Sequence, residues 1–149
     1  MKKSLFLMTL LFVCSVATGW MNGQSGFDLD SLIAQFDTAV PQGFTLQESG
    51  PDGENVFAVY KKSPQEVINV NLQKEHDIEF SDVEELAIDG RKAVFYHMGF
   101  DKNGGMAVFL QNGSGYLVVG YNKPFMGDEA VEPGELEEIL NKIDLSRFE

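Results

Sequence analysis

Hydrophobic residues first recur at helical spacing at Leu29, Leu32, Ile33, Phe36 and Val40. This single apolar stripe predicts an amphipathic helix. Asp28 stands where a cap belongs, and Pro41 and Gly43 stop the helix. From there to Asn122 the period changes to two. Residues 67–74 are the clearest case: Ile68, Val70 and Leu72 point one way, and Asn69, Asn71 and Gln73 the other. That alternation predicts a half-buried antiparallel strand. Further strands are predicted over 44–49, 55–62, 83–88, 91–100, 106–111 and 116–122. Gly50-Pro51-Asp52-Gly53, Asp89-Gly90, Asp101-Lys102-Asn103-Gly104-Gly105 and Asn112-Gly113-Ser114-Gly115 are the turns between them. Such short links exclude parallel crossovers, so the strands form an antiparallel meander. A closing helix starts near Pro133 and carries Leu136, Ile139, Leu140 and Ile143 on one face.

One helix at each end of a meander gives an α+β fold: an antiparallel sheet packed by an N-terminal and a C-terminal helix, sandwich-like. The aromatics Phe57, Tyr60, Phe80, Phe95, Tyr96, Phe100, Phe109, Tyr116 and Tyr121 fall in strand-like segments. Phe95 and Tyr96 are sequence neighbours and must face opposite sides. A helix on each sheet face, giving two core layers, is the expected solution. No repeat or low-complexity segment divides 28–149, which is read as a single domain.

The first residues have a different logic. Met1-Lys2-Lys3 is basic, the segment from Leu5 to Val13 is apolar apart from Thr9, and Ser15, Ala17 and Gly19 are small. This is the layout of a secretory signal peptide over 1–19, with cleavage before Trp20. The apolar run is well short of the ~20 residues a membrane-spanning helix needs. Phe12 and Val13 before Cys14 do not suit lipidation. Residues 20–27 are rich in Gly, Asn, Gln and Ser and read as a flexible lead-in. Cleavage would remove the only cysteine, leaving a chain without disulfide or thiolate chemistry. The expected location is periplasmic or secreted, with no membrane insertion after processing.

The helix, then Val40-Pro41-Gln42-Gly43-Phe44, then strands that include Ile88-Asp89-Gly90-Arg91-Lys92-Ala93 and Tyr116-Leu117-Val118-Val119-Gly120-Tyr121, then a closing helix, resemble the small exported domains of the PsbP-like group. In that group a Pro–Gly–aromatic step opens the sheet, and a Gly–basic–Ala step opens a late strand. The resemblance spans nearly all of the mature chain. It implies an α+β fold and a partner-binding role, and it carries over no catalytic residue.

Charge narrows the function. The 149 residues hold 11 Lys+Arg against 23 Asp+Glu, a formal charge of −12. Losing Lys2 and Lys3 with the signal leaves 9 basic against 23 acidic residues, or −14. Nucleic-acid binding needs clustered cations and is excluded on this ground. Two acidic runs contain no Lys or Arg. The first is Glu75, Asp77, Glu79, Asp82, Glu84 and Glu85; the second is Asp128, Glu129, Glu132, Glu135, Glu137 and Glu138. They are the candidate binding surface, for a basic protein partner, or else a solubilising face. No calcium-loop spacing occurs in either.

Chemistry for catalysis is sparse. His76 and His97 are the only histidines and lie far apart in sequence. No metal site and no cofactor is expected. Gly113-Ser114-Gly115 is a turn and no nucleophile elbow. The expected function is a non-enzymatic exported binding or accessory module. The alternatives are a small-ligand carrier with a pocket between sheet and helix, lined by Tyr96 and Tyr116, and a small hydrolase using His97 with a carboxylate.

Overall fold

The computed structural model describes residues 26–75, 82–98, 102–127 and 129–149. The predicted signal peptide over 1–19 and most of the lead-in lie outside them. Helix α1 (Leu29–Ala39) is followed by β1 (Thr45–Asp52), β2 (Asn55–Ser63), β3 (Glu66–Gln73), β4 (Glu84–Ile88), β5 (Arg91–Met98), β6 (Asn103–Phe109) and β7 (Tyr116–Asn122), then by helix α2 (Pro133–Leu140) and a 3₁₀ turn, Leu145–Phe148. The fold is α+β with an antiparallel sheet. Asp28 caps α1 by accepting from the Asp30 N–H at 3.1 Å. Pro133 sits in the first turn of α2, and the Glu135 carboxylate accepts from the Glu132 N–H at 2.9 Å. Asp89 and Gly90 both have positive φ, 48° and 74°, as a two-residue hairpin with the twist of its strands requires.

The seven strands are ordered β1-β2-β3-β7-β6-β5-β4. Two meanders, β1–β3 and β4–β7, are therefore joined side by side through β3 and β7. Val70 pairs with Val119 at the middle of that seam. Asn103, Gly104 and Gly105 lie within β6, and not in a turn as their composition suggests. Crowding explains the glycines. A Cβ on Gly105 would stand 2.5 Å from the Tyr96 ring, and one on Gly104 would stand 2.9 Å from both Phe95 and Val131. The strand needs residues without side chains where these neighbours cross it.

Both helices contribute to one core. Leu32, Phe36 and Ala39 of α1 and Leu136, Ile139 and Leu140 of α2 join a cluster with Ala58, Tyr60, Ile68, Val70, Met106, Leu117 and Val119. The expectation of one helix on each sheet face is corrected accordingly: the helices share a face. On the other face Val94, Ala107 and Val118 form a small separate cluster flanked by Val83, Tyr96, Phe109 and Tyr116. The amides of Asn69, Asn71 and Gln73 alternate with the buried Ile68, Val70 and Leu72 and so share this second face. A helix laid over them would bury polar groups it cannot satisfy. Phe27, placed in the lead-in by composition, is half-buried against the main core.

The 3₁₀ turn after α2 is secured by a buried ion pair that local sequence does not announce. The Arg91 side chain is only 6% exposed, and its Nε and Nη2 donate to the two Glu149 carboxylate oxygens at 2.5 and 2.8 Å. Its Nη1 donates to the Asp89 carboxylate at 2.7 Å. Glu149 also accepts from the Gln111 N–H at 2.9 Å. This fork holds Leu145 and Phe148, both buried, against the sheet.

Candidate functional site

Tyr121 and Lys123 emerge at the end of β7, and Glu66 opens the neighbouring β3. The antiparallel register places them together, since Val67 pairs with Asn122. The N-terminus of α2 supplies Glu132 and Glu135 from the helix layer. Pro124, Gly127 and Glu129 come from the intervening loop. Glu66, Tyr121, Lys123, Pro124, Gly127, Glu129 and Glu135 line a cleft of about 440 Å³. An adjoining hollow of about 460 Å³ shares Lys123, Glu129 and Glu135 and adds Ala130 and Glu132.

Most polar groups in this cleft are engaged. The Tyr121 hydroxyl donates to Glu66 Oε1 at 2.9 Å, and Lys62 Nζ approaches the same oxygen at 3.3 Å. Burial pushes the Tyr121 phenol well above its ordinary value, and the Glu66 carboxylate adds to the shift. The phenol therefore stays protonated and serves as a hydrogen-bond donor. Lys123 is largely buried, and its Nζ donates to Glu135 Oε2 at 2.8 Å and to the Ala130 carbonyl at 3.1 Å. The ammonium also lies 5.7 Å from the Tyr121 ring centre, and Phe44 stands edge-on to that ring at 5.8 Å. Glu135 thus does three things: it caps α2, holds Lys123 and leaves an acidic rim around the cleft. Arranged in this way, the groups can recognise charge and shape.

The acidic residues singled out by sequence separate in space. Asp77, Glu79 and Asp128 lie outside the described residues, as does His76. Glu75 follows β3 near the sheet centre, whereas Glu84 and Glu85 lie on the edge strand β4, four strands away. At ~4.8 Å per strand that is ~19 Å, so the described members of the first run do not form one patch. Asp82 is exposed and has a positive φ of 57°. Glu85 pairs with Lys92 at 3.1 Å on the open face of the sheet. Of the second run, Glu129, Glu132 and Glu135 converge on the cleft. Glu137 is half-buried, and exposed Glu138 pairs with Lys142 at 3.2 Å. Glu66, Tyr121 and Lys123 were missed. Only Lys123, a lone cation just ahead of the second acidic run, gave any signal.

The alternatives meet different surroundings. His97 is exposed and stands edge-on to the Phe95 ring at 5.0 Å, and among the described residues no ion pair joins it to a carboxylate. Tyr96 and Tyr116 lie on the sheet face away from both helices. Away from the cleft at the end of β7, core side chains from both helices pack against the sheet. Among the described residues no group of three or more His, Cys, Asp or Glu could hold a metal ion, and no helix is long and apolar enough to cross a membrane. Searches with family models, against curated proteins and against solved structures found no match to this chain.

Proposed function

We propose that this chain is an exported, non-enzymatic binding or accessory module that docks a basic protein partner at the cleft beyond β7. One observation carries the reading. Among the described residues that line the two adjoining hollows, four are carboxylates, Glu66, Glu129, Glu132 and Glu135, against one lysine, Lys123, while Lys62 also reaches Glu66. The formal net charge of −12 has the same sign. Such a field accelerates encounter with a cation and disfavours anionic partners. The engaged state of Tyr121, Lys123 and Glu135 supports recognition over catalysis. Export rests on the signal-like pattern of 1–19. A PsbP-like, sandwich-like relationship belongs to the same proposal, supported by an antiparallel sheet closed by a helix from each end of the chain.

The test is capture from an extract of the source cell by the mature domain and by a Glu129→Gln/Glu132→Gln variant, each at low and high salt. This variant leaves the Lys123–Glu135 pair in place. The screening length shortens from ~10 Å at 0.1 M salt to ~3 Å at 1 M. The reading expects a basic partner whose capture weakens with salt and with the double substitution. Identical capture by both domains with the same salt response contradicts it.

A further inference from the structure

The loop that rims the cleft carries a feature that charge does not explain. Phe125 and Met126 are 67% and 86% exposed, the large apolar residues most open to solvent among those described. Isolated surface apolar residues are ordinary, whereas contiguous exposed apolar area characterises interaction sites, and these two side chains are adjacent on a secured loop. The loop is held from beneath. Lys102 Nζ donates to the Phe125 carbonyl at 3.2 Å and also to the Gly127 carbonyl. The Gly127 N–H closes a turn onto the Pro124 carbonyl at 3.0 Å. The Val131 N–H bonds the Lys102 carbonyl at 3.0 Å, and Val131 itself is buried. Backbone and lysines thus fix the loop while its two largest apolar side chains project outward. A segment ordered before binding loses little entropy when it binds, which is how an interface anchor gains affinity.

We propose that Phe125 and Met126 are the apolar anchor of the docking surface, and that their partner is a protein segment offering an apolar pocket flanked by Lys or Arg. The inference rests on the binding-module reading and sharpens it. Charge complementarity selects this occupant, because exposed Glu129 and Glu132 follow the anchor directly along the loop. The same carboxylates disfavour an anionic lipid surface, the other ordinary destination of an exposed Phe–Met pair.

The probe is a phage-displayed library of random 12-residue peptides, selected on the immobilised domain. Selected peptides should combine Lys or Arg with large apolar residues. They should bind Phe125→Ser/Met126→Ser at least tenfold more weakly than the wild type. Both side chains are exposed, so the melting temperature of this variant should match the wild type and exclude unfolding as the cause. Selection of no peptide overturns the inference, as does equal affinity for wild type and variant. Binding to phosphatidylglycerol vesicles that is lost in the variant, with no peptide selected, overturns it in favour of lipid. Peptides that weaken on Glu129→Gln/Glu132→Gln but ignore Phe125→Ser/Met126→Ser would leave the acidic cleft standing and remove the anchor. Peptides indifferent to both variants would remove both.

Discussion

Replacing Glu149 by Gln keeps the shape of the Arg91 fork but removes its charge. In the wild type, Arg91 donates to both Glu149 oxygens at 2.5 and 2.8 Å, and the two side chains are 6% and 10% exposed. The amide retains one acceptor oxygen and turns an NH₂ toward the guanidinium. One charge-assisted hydrogen bond is lost, worth ~1.5–3 kcal/mol. Asp89 remains as a counter-charge, but its side chain is 69% exposed and largely screened. The expected cost is therefore ~1.5–3 kcal/mol. Arg91→Ala should cost more, ~3–5 kcal/mol, because it leaves the Glu149 carboxylate without its cation. The effect has a definite pH dependence. The hydrogen bond from Arg91 holds the Glu149 carboxyl below its ordinary value of 4.5. A depressed carboxyl pKa stabilises the folded state fully above the unfolded value and loses that contribution as pH falls through the folded value. The gap between wild type and Glu149→Gln should thus be constant near neutrality and shrink below about pH 4.5. Urea unfolding followed by far-ultraviolet circular dichroism at several pH values measures both quantities. A loss under ~0.5 kcal/mol at pH 7, or a gap that widens in acid, would mean that the Arg91–Glu149 pair does not stabilise the fold.

Three further outcomes are expected. Leu140, on the core-facing side of α2, is fully buried, so Leu140→Ala should cost ~2–5 kcal/mol in the same unfolding assay. Gly105→Ala would place a Cβ 2.5 Å from the Tyr96 ring and should cost ~1–3 kcal/mol, with much of the loss recovered in a Tyr96→Ala background. N-terminal sequencing of exported protein should begin at Trp20; material beginning at Met1 would remove the signal-peptide reading.

Strands β2 and β3 were legible because each buries one face, and a period of two in residues such as Ile68, Val70 and Leu72 reports that directly. The hairpin at Asp89-Gly90 was legible because few residues accept its positive φ values. Periodicity states which face a residue occupies but not which strand lies beside it, so the pairing of β3 with β7 was hidden. The amides of Asn69, Asn71 and Gln73 did signal a polar face, but two helices at opposite ends of the chain suggested one for each side. Asn103-Gly104-Gly105 imitates a turn in composition, and only the crossing rings of Phe95 and Tyr96 explain it as strand. The candidate site was half visible. The second acidic run carries a local charge pattern, whereas Glu66 and Tyr121 are 55 residues apart and the Arg91–Glu149 pair spans 58. Contacts of that separation follow from topology and leave no mark in a local window.

Recognition is proposed to occur at the end of β7, where the cleft meets the Phe125–Met126 loop. Titrating ¹⁵N-labelled mature domain with a selected cationic–apolar peptide, and following amide chemical shifts, locates the contact residue by residue. The largest changes should fall on Glu66, residues 121–127 and 129–135, and they should diminish at high salt. Changes centred on Tyr96, Phe109 and Tyr116 of the opposite sheet face, with the β7 cleft silent, would contradict it.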